Sequence, residues 1–288
     1  MSDMIMAGQG APPAMAWPRR LMATAADGNA GLAWLGLFMV LAMLPTALAA
    51  LVDTRQIDSI AIWIKPLKFQ ASVGLHLLST AWMACLLPLA VRHGRRMRGL
   101  AGIIIATALF EVAWIAFQAA RGRASHFNAD SALEAVMFTA MGVGALALVA
   151  ASAVVGLLIL RHGDGGHSDG RRLLVTGAGL GLLLGGVLAG ITGMAIAGNG
   201  GHWVGGMADD AGGLPVFGWS RSGGDLRVAH FIGLHLTQAL PLAALVLGRL
   251  LSPRPARAVL YGVAALGVLA TVLALIQAQA GLPLWPAG

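Results

Sequence analysis

Apolar residues gather along the chain in seven long runs, at about residues 31–52, 69–91, 99–119, 131–160, 173–197, 229–251 and 256–279. A helix needs about 20 such residues to cross the hydrocarbon of a bilayer. The pattern predicts an all-α, polytopic transmembrane helix bundle of seven spans, forming one domain over residues 29–288. The fourth run is long enough to tilt or to project beyond the lipid. Residues 1–28 read as a disordered cytoplasmic tail. Residues 198–228 form a long glycine-rich loop, and long connections are often lids or binding loops. Gly181, Gly185, Gly186 and Gly190 are spaced to let helices approach closely in lipid. Gly177-x-Gly179 has no preceding strand and reads as packing, not as a nucleotide loop.

Composition agrees with this pattern: 58% hydrophobic and 11% charged residues, against about 25% charged in soluble domains. The net charge of +7 could suggest nucleic acid. The basic residues fall in short loops between apolar runs, with no basic stripe interleaved with aromatics, so a nucleic-acid partner is excluded and lipid is the expected surrounding. Of the 19 basic residues, twelve lie on one side: Arg19, Arg20, Arg92, Arg95, Arg96, Arg98, Arg161, Arg171, Arg172, Arg249, Arg254 and Arg257. The positive-inside rule makes that side cytoplasmic, with the N-terminus inside and the C-terminus outside, as in a bacterial inner membrane. Ala47-Leu48-Ala49 resembles a signal-peptidase site, but the first run exceeds the ~7–15 residues of a signal core and reads as an uncleaved anchor. The single cysteine, Cys85, excludes an internal disulfide and c-type haem attachment.

Polar residues sort to the outer half. In the second run Lys65, Lys68, Ser72, His76, Ser79 and Thr80 share one stripe, with His76 roughly 13 Å deep at ~1.5 Å per residue. In the third, Glu111, Trp114, Gln118 and Arg121 share a face, and Glu111 lies roughly 12–15 Å deep. A carboxylate at that depth usually faces a bundle interior and marks function. The sixth run carries His230, His235 and Gln238 behind Asp225 and Arg227. The outer loops add His126 and His202. Similar depth brings His76, Glu111 and His235 together as the expected site.

Blander readings stand beside this one. Ser131-x-x-Glu134 is a capping box. Trp63, Trp203 and Trp219 suit interfacial anchoring, Lys65 and Lys68 suit snorkelling, and Asp225 with Arg227 suits capping of the sixth span. His126 and His202 suit solvated loop positions. His76 suits a core histidine bonded to a serine, and Glu111 suits an ion pair with arginine.

The strings Trp63-Ile64-Lys65-Pro66-Leu67-Lys68-Phe69, Gln118 to Gly122 with Ser125-His126-Phe127-Asn128, and Gly224-Asp225-Leu226-Arg227 with His230-Phe231 and Gly233-Leu234-His235 resemble an uncharacterised bacterial membrane-protein family of no known activity. Ser72-x-x-x-His76, an acid on the next span and paired late histidines also resemble the seven-span zinc hydrolases of the ceramidase and adiponectin-receptor type. Here the late pair, His230 and His235, lies on the sixth span with four residues between, and the acid is glutamate where that family has aspartate. That second resemblance implies a zinc hydrolase.

Imidazole and carboxylate ligands suit zinc, iron or copper, so His76, Glu111 and His235 form the expected metal set. Glu111 and His230 are the expected catalytic proton carriers. In a redox version His76 and His235 would bind haem b, exchanging electrons with quinone. Ser72, Gln118, Arg121, His126, His202, Asp225, Arg227 and Gln238 would support the site, which could also take a lipid or an anionic small molecule. The expected function is a metal- or haem-binding membrane oxidoreductase. The alternatives are a zinc-dependent hydrolase, a proton-coupled transporter or a non-catalytic assembly subunit.

Overall fold

The computed structural model describes residues 13–166 and 168–286, with side chains from residue 18 onward; His167 lies outside the described residues. Long helices follow one another: α1 (Pro13–Val52), α2 (Ile64–Ala84), the short α3 (Leu89–Arg92), α4 (Arg95–Ala120), α5 (Ala132–His162), α6 (Asp169–Gly198), α7 (Leu226–Leu250) and α8 (Pro253–Gln279). Two small antiparallel ribbons interrupt them, β1 (Gln56–Ile57) with β2 (Ile60–Ala61) and β3 (Trp203–Val204) with β4 (Gly224–Asp225). Among the described residues six helices are long and apolar enough to cross a membrane: α1 from Pro18, α4, α5, α6, α7 and α8. The second expected run does form a helix, yet Lys65, Lys68, Gln70, Ser72, His76 and Ser79 leave α2 short of that apolar standard.

Two expectations are corrected here. Residues 13–28 are helical, not a disordered tail, while residues 1–12 lie outside the described residues. Asn29 divides this helix in two. Its backbone leaves the helical region (φ −160°, ψ 106°), and its Oδ1 accepts a bond from Leu32 N at 3.0 Å, capping a second helical segment. Helix α2 begins at Ile64 and ends before Pro88, where the expected run continued to 91. Proline lacks the N–H that would extend the helix, so Pro88 instead leads the separate turn α3.

Helix α2 returns antiparallel along α1. Gly28 packs on Ala81, Gly36 on Gly74, and Gln70 Nε2 donates to Thr46 Oγ1 at 2.9 Å. The glycines of α6 work on two faces. Gly177, Gly181 and Gly185 lie against the backbone of α7 at Leu240, Leu236 and Leu234, whereas Gly179 and Gly186 lie against α5 at Gly156 and Val149. Without a hydrophobic drive in lipid, such backbone proximity supplies the dispersion contact that holds helices together.

The bundle has two distinct ends. At the arginine-dense end Asp164 N donates to Leu86 O, and Gly170 meets Gly248. At the loop-rich end Arg55 reaches Ala120 O, Lys68 reaches Phe217 O, and Arg221 reaches Pro286 O.

Candidate functional site

Helices α2 and α7 run in the same sense and face each other across a gap. Lys68, Ser72, Leu75 and Ser79 form one stripe of α2 at helical spacing. At the lower end Gln238 Nε2 of α7 donates to Ser79 Oγ at 3.1 Å. At the upper end Lys68 Nζ donates to the carbonyl of Phe217, in the segment leading into α7, at 2.8 Å. Eleven residues, about 16 Å of helix, separate these bridges. Between them Ser72 is exposed and Leu75 is 45% exposed, so the helices do not close on each other there. On the α7 side, the helix and the loop that leads into it are aromatic. Phe217 stacks on Trp219 at 4.4 Å, Phe231 meets both edge-on, and Phe231 stacks on His235 at 4.0 Å. The open stretch between the two bridges, the α2–α7 crevice, thus has hydroxyls on the α2 side and packed rings on the α7 side.

The histidines of α2 and α7 have assignable protons. Ser152 Oγ of α5 spends its own hydrogen on Leu148 O, so the 2.8 Å contact with His76 Nε2 requires His76 to donate. Thr192 Oγ1 of α6 likewise donates to Leu188 O, so His230 Nδ1 donates to Thr192. His235 Nδ1 lies 2.9 Å from the Phe231 carbonyl, which can only accept. In its neutral form His235 therefore keeps Nε2 as an acceptor at the crevice. His235 is within electrostatic reach of both His76 and His230.

This arrangement does not assemble the expected metal set. Among the described residues no three of His, Cys, Asp or Glu come together to hold an ion. His76 faces α5 at Ser152, whereas Glu111 lies against α5 at Gly144. Eight residues of α5, about 12 Å, separate those levels, and metal ligands must share a centre at about 2.0–2.2 Å. Counting residues inward from each helix end placed the two at one depth. The helices start at different heights, and the equality disappears.

Glu111 is 4% exposed, and its Oε1 has no hydrogen-bond partner among the described residues. Trp114 Nε1, one turn away on the same face, also lacks one. Further along that face Gln118 donates to Glu134 Oε1 at 3.1 Å and accepts from Arg121 at 2.8 Å. Ser131 caps α5 through Glu134, as the capping box predicts, and Arg123 Nη2 adds a 2.7 Å bond to the same carboxylate. Glu134 is thus the junction of α4 and α5 as well as a cap. His126 is not a solvated loop residue: its ring sits among Phe69, Phe127 and Phe138. Burial, with the Lys65 ammonium nearby, brings it down to about 3, so it is neutral at ordinary pH.

At the loop-rich start of α7 lies a charged cap. Asp225 caps α7 by accepting from Arg227 N, and the Arg227 guanidinium reaches Asp225, Asp210 and Gly218 O, each at 2.7 Å. His202 contacts Asp210 at 3.3 Å and packs tilted against the Trp203 ring, and Ser59 donates to Asp209 at 2.9 Å. Burial opposes ionisation of Asp210, but hydrogen bonds from His202 and Arg227 outweigh it and hold the carboxyl at about 2, below its ordinary 3.8. A depressed carboxylate contributes stability above its unfolded value and loses it as pH falls through its folded value. The cap should therefore stay closed down to about pH 4 and loosen between there and about pH 2. Fluorescence of the loop tryptophans during acid titration reads this, and a transition centred near pH 6 would contradict it.

Lys65, by contrast, makes no hydrogen bond or ion pair among the described residues, although Asp58, Arg227, Glu111 and Asp210 lie within electrostatic reach. Comparison with protein-family models, curated proteins and solved structures finds no match. The functional reading therefore rests on the geometry. Sequence spacing singled out Ser72, His76, His235 and Gln238. It missed Ser152, Phe217 and Phe231, whose parts depend on which helices become neighbours.

Proposed function

We propose that the chain is a seven-span protein of the bacterial inner membrane that binds a quinone or its hydroquinone in the crevice between α2 and α7, serving a membrane oxidoreductase. In this reading α2 is the seventh span. Its support is the antiparallel pairing with α1, which carries α2 back through the same thickness that α1 crosses. The arginine-dense end is cytoplasmic and the loop-rich end, with the cap, is periplasmic.

The observation that carries the proposal is the gap bounded by Lys68–Phe217 and Ser79–Gln238, with Ser72 and Leu75 exposed on α2 and the Phe231–His235 stack on α7. A quinone head is flat and apolar, carries carbonyl acceptors and is delivered by lipid. An aromatic wall suits its ring, and hydroxyl donors suit its oxygens. With Nδ1 committed to the Phe231 carbonyl, His235 Nε2 is left free to accept a hydrogen bond from a hydroquinone hydroxyl. Zinc, iron and copper are not part of this proposal, because His76, Glu111 and His235 do not converge on one centre among the described residues, and haem b is left out because His76 Nε2 is bonded to Ser152 Oγ. The uncharacterised family resemblance adds no activity to it.

The test is quinone binding to purified protein in lipid nanodiscs, followed by quenching of tryptophan fluorescence. His235→Ala and Phe231→Ala should each weaken binding about tenfold or more, equivalent to roughly 1.4 kcal/mol. Leu269→Ala, on a lipid-facing part of α8, should leave it unchanged. Equal affinity in all four proteins would refute the site. Displacement by an anionic lipid, lost in Lys65→Met, would assign the crevice to a lipid headgroup.

A further inference from the structure

We propose that Glu111 is a proton-binding site within the bundle, loading and releasing one proton toward the loop-rich end, with Lys65 as its charge partner. The argument begins with a contrast inside the molecule. Glu134 and Glu111 are equally buried, at 3% and 4% exposure. Glu134 is held by Arg123, Gln118 and Ser131, which is how a fixed structural carboxylate is satisfied. At Glu111, Oε1 is buried without a partner and no ion pair reaches the carboxyl, among the described residues. A carboxylate left so would be costly in a medium of low polarity, whereas the neutral acid is tolerated there.

The surroundings leave both states open. From α5 the neighbour is Gly144, which brings no charge, and from α4 itself Thr107, Phe110 and Trp114 bring none. From α2, Lys65 is the charged group within reach, and His126 on the adjoining loop bears in turn on Lys65. Lys65 has no committed partner among the described residues and lies within electrostatic reach of Glu111, so its ammonium can compensate the acid when it ionises. The unpartnered Trp114 Nε1 adds a donor one turn from the unpartnered acceptor. Together they suit a small hydroxylic molecule such as water, through which a proton passes to and from Oε1. The step is a simple dissociation. The carboxyl O–H breaks, its electron pair stays on Glu111, and the proton goes to water at the loop-rich end.

This inference stands apart from the quinone reading, and its test uses no quinone. Infrared spectra of the protein in lipid, stepped through pH, should show one carboxylic-acid C=O band that appears and vanishes reversibly. The band should exchange with D2O, disappear in Glu111→Gln, change frequency in Glu111→Asp, and move to a different pH in Lys65→Met. If Glu111→Gln does not fold, the Glu111→Asp frequency change and the Lys65→Met displacement decide the matter. A folded protein with no band assignable to Glu111 at any pH, or a band indifferent to both pH and Lys65, would overturn the proposal. Failure of quinone binding with this titration intact would remove the ligand and leave the proton site.

Discussion

Replacing Arg227 by alanine should destabilise the protein by about 3–5 kcal/mol, the range for removing one partner of a buried ion pair. Arg227 holds two carboxylates at once, and the Asp225 side chain is only 1% exposed. Without the guanidinium those charges face each other across a space from which water is largely excluded. The loss would spread, because Asp225 also caps α7 and holds Ser220 N at 2.9 Å, and the guanidinium is a bonded link to the loop at Gly218 O. The expected result is a large drop in thermal midpoint in detergent, with rapid proteolysis between residues 205 and 213 in the loop. Arg227→Lys keeps the charge but not the fork of donors, and should fall between. A loss under about 1 kcal/mol would mark the network as a surface feature.

Gly181→Leu should be as damaging for a different reason. A Cβ at Gly181 would lie 2.8 Å from Leu236 O and 3.2 Å from Thr237 O, both main-chain atoms of α7. Backbone cannot swing aside as a flexible side chain can, so the two helices must separate. Overpacking a close contact typically costs about 1–3 kcal/mol. Here it also forfeits the contacts of Gly177 and Gly185 along the same line, so the expected outcome is loss of folded protein from the membrane. Gly262→Leu, where nothing lies within 4 Å of an added Cβ, is the control that should accumulate normally. Equal yields of the two variants would show that α6 and α7 are not packed as described.

The same contrast explains what was legible in the sequence. Runs of apolar residues carry their own length and boundaries, so the ends of α4 to α8 fall within a few residues of those expected. Capping is equally local, and Ser131 with Glu134 and Asp225 with Arg227 act as their spacing says. Helix α2 was harder, because its stripe of Lys65, Lys68, Ser72, His76 and Ser79 lowers its apolar character while its packing on α1 preserves the helix. Relative height could not be read at all. The shared depth of His76, Glu111 and His235 assumed level helix ends, and α5 places Ser152 and Gly144 about 12 Å apart. Nor could partners be read. Nothing local says that His230 finds Thr192, that His76 finds Ser152, or that Phe217 in a loop stacks beside Trp219 and Phe231.

The central claim is that α2 and α7 leave a crevice between their facing stripes and that a quinone head enters it. An azido-quinone photolabel, activated in protein reconstituted into lipid and mapped by mass spectrometry of peptides, tests this most directly. Labelling concentrated on Ser72–Ser79 and Phe231–Gln238, and suppressed by excess unlabelled quinone, is the predicted result. Labelling spread over the exposed faces of α1 and α8, with no suppression, would mean that the two helices enclose no such site.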